Sequence, residues 1–236
     1  MALAYYTATT NGSSAATSHS VTLPTATYTY GDTIIVLARA TVAGAIGWPD
    51  GTWTEMVEDS SDASDDVTAI AWKTAVGNES GTTISVSHGN GKLAAIAILV
   101  TGGRLPGLRA PELSTVAVGT DANPNPTTCT PTGGTKAYLW IWMGGWDGEQ
   151  TSPPATGPTD FTGGVGANTG TSGITTTNCR VAVWFRNAYS ASSYDAGSCT
   201  LSASAAAGWS AWLMAVHPNQ GGGTGTFPFG AVRKYA

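Results

Sequence analysis

The sequence predicts an all-β protein built as a two-layer β-sandwich, and three observations carry that prediction. Its apolar stretches are short, rich in Val, Ile, Thr and aromatic residues, and they lack a helical period. Most of its 31 Gly and 12 Pro fall between those stretches, which is the turn chemistry a chain of about a dozen strands needs. The order of segments in the first half recurs in the second, so the fold reads as two sequence-similar halves.

The first set of expected strands is Ser20–Leu23, Thr33–Val42, Thr52–Glu58, Val67–Ala75, Thr82–His88 and Lys92–Thr101. The second set is Thr127–Thr130, Lys136–Met143, Asp160–Gly164, Arg180–Ala188, Cys199–Ser204 and Ser210–His217. Gly31–Leu37 matches Gly134–Trp140, each a long apolar strand opened by a turn. Ala69–Lys73 matches Val181–Phe185, each with a Trp near its centre, which pairs Trp72 with Trp184. Thr82–Ser87 matches Ser198–Ala203, and Gly91–Ile98 matches Gly208–Ala215.

Two arrangements fit such halves: two sandwiches in tandem, or one large double-Greek-key sandwich of jelly-roll type in which the halves interleave. The second is favoured. Each half has only ~100 residues, near the small end for burying a core alone, and strands such as Ala94–Val100 are apolar on both faces and want cover on both. The expected body is residues 1–218, with halves at about 15–103 and 120–218. Between them runs a strap, 104–119, whose Pro106, Leu108, Pro111, Leu113, Val116 and Val118 suit packing on the body. Residues 219–236 differ: a Gly-rich linker leads to an aromatic and basic tip. Phe227, Phe229, Val232, Arg233, Lys234 and Tyr235 read as a docking arm that orders on a partner.

Charge excludes some classes of function. Charged residues make up 11% of the chain, less than half the usual share, so the coat is mainly Thr, Ser, Asn and Gly. A net charge of −5 gives no concentrated basic face for nucleic-acid phosphates. The longest apolar run, Leu93–Val100, is far short of the ~20 residues that cross a bilayer, so no membrane partner is expected. Cys129, Cys179 and Cys199 are odd in number and widely spaced, which fits buried thiols better than a disulfide framework or a zinc site. No basic region followed by an apolar run opens the chain, so no signal peptide is expected and folding in a reducing cytoplasm follows.

A search for catalytic chemistry finds no nucleophile elbow, phosphate loop or zinc-ligand spacing, and neither catalysis nor a cofactor or metal is expected. His19, His88 and His217 read as surface or strand-end residues. The acidic run Glu55, Glu58, Asp59, Asp62, Asp65 and Asp66 lacks EF-hand spacing and reads as a solvated hairpin tip. Trp48 and Trp146, the latter followed by Asp147, sit in loop-like contexts and are the candidates for stacking on a sugar ring, with Asp147 as a hydroxyl acceptor. Trp72, Trp184 and Trp212 lie within strands and are expected in the core.

The Thr-Leu-Pro strand at 22–24, Gly-Asp-Thr-Ile-Ile-Val at 31–36, Ala-Trp-Lys-Thr-Ala-Val-Gly at 71–77, Thr-Ile-Ser-Val-Ser at 83–87 and the closing Gly-Trp-Ser-Ala-Trp-Leu-Met-Ala-Val-His-Pro at 208–218 together resemble the jelly-roll virion proteins of tailed bacteriophages. That group includes capsid decoration (cement) proteins, head fibres and minor tail proteins. The resemblance covers about residues 15–218 and is one of strand patterns, so it carries over no functional residue. It implies a virion structural protein made in the bacterial cytoplasm, a homo-oligomer and often a trimer, whose partners are the major capsid protein or tail proteins. Capsid decoration is the first expectation. The alternative is a tail or fibre protein that binds a host cell-surface glycan.

Overall fold

A computed structural model describes residues 3–42, 44–61, 66–102, 110–147, 153–154, 156–170, 178–201 and 208–218. Among the described residues every regular element is a strand. In chain order these are β1 (Ala4–Thr22), β2 (Thr33–Ala40), β3 (Thr54–Asp59), β4 (Val67–Thr74), β5 (Thr83–Thr101), β6 (Glu112–Leu113), β7 (Ala117–Gly119), β8 (Lys136–Asp147), β9 (Thr162–Asn168), β10 (Cys179–Ala191) and β11 (Trp209–Val216). They form two antiparallel sheets packed face to face. One has the order β1-β5-β2-β4-β3 and the other β6-β11-β8-β10-β9, with β7 also on β11. With the strap strands β6 and β7 standing in the place of β1, the second sheet repeats the strand order of the first.

Alternation along the strands divides the apolar residues between two faces of each sheet. Ile35, Leu37, Ile96 and Ile98 from the first sheet meet Leu139, Ile141, Val183, Phe185 and Met214 from the second in a central core. The intervening residues are apolar too, so each sheet needs a second cover on its outer face. On the first sheet Ile34, Val36, Ala97 and Leu99 lie under Val21, Leu23, Tyr28, Ile46 and Trp53. On the second, Tyr138, Trp140, Trp142 and Leu213 lie under Cys129, Phe161, Ala196, Cys199 and Leu201. Three cores are thus stacked through the body, and each buried Leu, Ile or Phe contributes roughly 1.5–3 kcal/mol.

The outer cover of the first sheet is made by bending a long ribbon. β1 pairs with β5 from Ala4↔Thr101 to Thr22↔Thr83, while β2 runs beside β5 only from Leu93 to Val100. A straight β5 would put Thr22 some 55 Å from the start of β2 at ~3.3 Å per residue, and the ten residues Leu23–Asp32 span at most ~40 Å. The ribbon therefore folds over, at register shifts between Gly12, Ala16 and Ser18 and opposite Gly89 and Gly91. Its distal end, with Val21 and Val86, lies on the outer core. In the second half the cover is looser: Cys129 bridges Tyr194, Thr156 bridges Thr200, and Leu201 N–H donates to the Ala122 carbonyl.

These observations revise several expectations. The halves do share one core, but they do not interleave; each keeps its strands in its own sheet and adds an outer core covered by its own loops. The matched segments are in the right order but out of phase. Leu37 faces the central core and its match Trp140 the outer one, and Trp72 and Trp184, and Ile96 and Leu213, divide in the same way. An odd-numbered slip flips every side chain to the other face. In space, Ile35 lies between Trp72 and Ile98 as Ile141 lies between Phe185 and Met214.

Thr82–His88 and Lys92–Thr101 are one strand, and β1 begins well before Ser20. Around Cys129 and Thr200 only isolated bridges form among the described residues. In the strap, Leu113 and Val116 pack on the central core while Val118 is exposed; Pro106 and Leu108 lie outside the described residues.

Candidate functional site

The structure buries two of the three sugar-contact candidates. Trp146 is fully buried in β8 under the outer cover, and Asp147 beside it is buried as well, so neither presents a face to a ligand. The reason is the length of β8, which continues as strand through Gly144 and Gly145 where the sequence suggests a loop. Trp48 is half-buried, stacks on Trp53 with centroids 5.8 Å apart and donates Nε1–H to Glu55 Oε2 at 2.9 Å. It belongs to the outer core of the first sheet and Trp146 to that of the second. The arm residues Phe227, Phe229, Val232, Arg233, Lys234 and Tyr235 lie outside the described residues.

The acidic run is dispersed into separate tasks. Glu55 takes the Trp48 indole, Glu58 accepts from Ile46 N–H at 2.7 Å, Asp59 accepts from Ser61, and Asp66 pairs with buried Arg39 at 3.1 Å. Asp62 and Asp65 lie outside the described residues. Among the described residues no group of three or more His, Cys, Asp or Glu is placed to hold a metal.

His19 and His88 come together across the bend of the β1–β5 ribbon, with Nδ1 of His19 2.8 Å from Nε2 of His88. The outer ring nitrogens reach the carbonyls of Ser14 at 3.1 Å and Gly89 at 2.6 Å. Burial, reinforced by His19, holds the His88 pKa below its ordinary 6.5 despite the Gly89 contact. His217 closes β11 on Glu112 of the strap at 2.6 Å. Burial pushes the Glu112 carboxyl up, but hydrogen bonds from Thr132 and His217 outweigh it and leave it lowered. The His217–Glu112 pair ties the strap to the end of β11, while the His19–His88 pair lies within the ribbon.

The site that the sequence did not single out lies where β10 runs past the end of β9. β10 is apolar through Phe185, then turns polar at Arg186-Asn187-Ala188-Tyr189. Arg186 pairs with Trp140 and Tyr189 with Tyr138, so β10 carries one extra residue between them. That bulge restores the alternation and puts Arg186 and Tyr189 on the same, outer face. Ala188 within it has φ +54°, and the indole of Trp140 anchors the turn by donating to the Tyr189 carbonyl at 3.0 Å.

The Arg186 guanidinium lies 3.6 Å from the Tyr189 ring centroid and 4.9 Å from that of Tyr194. It donates to the Tyr194 hydroxyl and pairs with Asp160 at 3.1 Å. Tyr194 is fixed by paired backbone bonds to Cys129, and its ring packs against Trp140, Phe161 and Tyr189 with centroids 5.2, 6.0 and 5.0 Å away. Asp160 stands at a turn with φ +67°. Asp195 accepts from Gly197 N–H at 3.1 Å. With Asn125 these groups line an open pocket of about 730 Å³, a size suited to a small ligand. The sequence signal for it is modest: a strand that changes from apolar to Arg-Asn-Ala-Tyr, followed by Tyr194-Asp195.

No family model matches the chain, and no match was found among the curated proteins or the solved structures.

Proposed function

We propose that the chain is a non-catalytic structural component of a tailed-bacteriophage virion, a capsid decoration protein that binds and stabilises the head shell as a homo-oligomer, with a trimer as the expected state. The observation that carries this reading is the self-covered body: three stacked cores with both outer faces closed by the chain's own loops. Such a body does not need a partner to finish its fold, and its sparsely charged coat suits close packing of many copies. Association is then left to rims and to the terminal segment, and residues 219–236, with their aromatic and basic tip, are the proposed attachment arm. Co-sedimentation with purified capsids tests this. Full-length protein should pellet with capsids and a version ending at Asn219 should not; equal retention of both would exclude the arm, and absence of the protein from heads would exclude decoration.

The Arg186 pocket favours a second reading, a tail or fibre protein that binds a host cell-surface glycan. Its mixture of tyrosine rings, carboxylates and a guanidinium suits hydroxyl-rich ligands. Localisation to tail tips, with adsorption to host polysaccharide that survives removal of the arm, would put this reading first.

A further inference from the structure

We propose that the pocket bounded by Asp160, Arg186, Tyr189, Tyr194 and Asp195 is a binding site for a single neutral hexose unit, such as one residue of a surface polysaccharide. This rests on the glycan-binding reading and names the ligand class and the residues that would recognise it.

Backbone strain marks the place. Among the described residues the two non-glycine residues with left-handed backbone are Asp160 and Ala188, and both belong to this site. For Ala188 that conformation costs on the order of 1–2 kcal/mol, and neither lies in a core that packing would explain. Held outliers of this kind concentrate where a fixed side-chain geometry is needed. Here the strain has a definite product: the Ala188 bulge brings Tyr189 beside Arg186, and the Asp160 turn brings a carboxylate to the same guanidinium.

The chemistry of the walls selects the ligand. Tyr189 is 37% exposed, and the part of its ring that Arg186 does not cover offers surface for the apolar face of a pyranose. Around it the carboxylates of Asp160 and Asp195 accept from hydroxyls, while Arg186 and the Asn125 amide donate. Such close-set acceptors and donors match adjacent hydroxyls on one ring. Charge argues against two competitors. Two carboxylates and one guanidinium leave the pocket net negative, which disfavours an acidic sugar or a phosphate. A cationic group seeking the tyrosine face finds Arg186 already seated there at 3.6 Å, which disfavours a lysine-bearing peptide. The pocket is open and shallow, so affinity for a single unit belongs in the millimolar range, with useful avidity arising from repeats in the polymer and copies in the oligomer.

The test is saturation-transfer-difference NMR with full-length protein and the methyl glycosides of glucose, galactose, mannose and N-acetylglucosamine, beside methyl glucuronide and a lysine-rich peptide. The expected result is transfer to at least one neutral glycoside, with Kd weakened about tenfold or more by Asp160→Asn and by Tyr189→Ala but retained by Tyr189→Phe. Asp160 is 59% exposed in its side chain, so its substitution reads out binding even if Tyr189→Ala disturbs the fold. Binding of no neutral glycoside, preference for the glucuronide or the peptide, or binding indifferent to Asp160→Asn each overturns the proposal. Adsorption to host polysaccharide that Asp160→Asn leaves intact would reject this site while sparing the glycan-binding reading. Hexose binding without any adsorption to host cells would do the reverse.

Discussion

Replacing Asp66 with Asn removes the carboxylate that faces a guanidinium at the centre of the molecule. Arg39 and Asp66 meet at 3.1 Å with side chains 0% and 2% exposed. Arg39 also donates to Thr68 at 2.8 Å, and Thr68 is joined by Ser210 of the other sheet at 3.2 Å. Cys179, also of the other sheet, donates its S–H to the Arg39 carbonyl at 3.0 Å. The direct attraction at that separation is ~5 kcal/mol with an effective dielectric near 20, and breaking a buried pair by removing one partner typically costs about 3–5 kcal/mol. Asp66→Asn should therefore lower unfolding stability by about 3–5 kcal/mol in urea titrations followed by tryptophan fluorescence. The double variant Arg39→Met, Asp66→Leu should be near neutral, because the desolvation cost of both charges disappears with their attraction. If the single changes simply add in the double variant, within about 0.5 kcal/mol, the pair is not coupled and the argument fails.

Three further outcomes follow from the packing and the titrating groups. The Trp184 indole lies against Gly157 and Gly164, and a Cβ at either would fall 2.4 Å from its Nε1, so Gly164→Ala should cost about 1–3 kcal/mol by thermal melt. Cys129, Cys179 and Cys199 are buried and desolvation pushes each thiol up to about 12, so a thiol reagent at pH 8 should label none of them in the native protein and all three in denaturant; rapid native labelling would contradict their placement. His88 has its folded pKa below the ordinary 6.5, so on acidification the unfolded chain takes up the proton first. Its contribution is complete above pH 6.5 and is lost as pH falls through the folded value. Melting temperature should therefore decline from pH 6.5 downward, and His88→Gln should flatten that decline. Glu112 is lowered from 4.5 and contributes its own loss only below that value.

Strand identity was legible in the sequence wherever apolar runs were long. β2, β4 and β11 begin and end within a residue or two of the segments expected from Thr33–Val42, Val67–Ala75 and Ser210–His217. Face assignment was not legible, because β2, β5, β8, β10 and β11 are apolar on both faces and so carry no alternation to set the phase. All but the last three residues of β1 escaped notice for the opposite reason: Ala4–His19 is rich in Thr, Ser and Ala and lacks larger aliphatic residues, and it is held as an edge strand by pairing with β5. The loop placement of Trp146 failed through the same two-sided burial, since Gly144-Gly145 before it suggests a loop. Those glycines are instead where the strand is closely overlain, Gly144 by Trp142 and Gly145 by Arg39 and Thr68.

The stacking of cores also explains where a binding site can lie. The central strands β2, β8 and β11 have both faces committed to packing and offer no ligand platform, which leaves the rims, where strands outrun their neighbours. β10 does this beyond Arg186: β9 pairs with it only up to Phe185, so the last turn of β10 is bounded by β8 on one side and by covering loops on the other. A polar strand end, a bulge and two loops anchored by backbone bonds to the outer core then converge there without disturbing any of the three cores. Substitutions that remove pocket function, such as Asp160→Asn, should therefore leave melting temperature nearly unchanged, whereas those in the cores should lower it; a large loss of stability from Asp160→Asn would show that the pocket residues serve the fold instead.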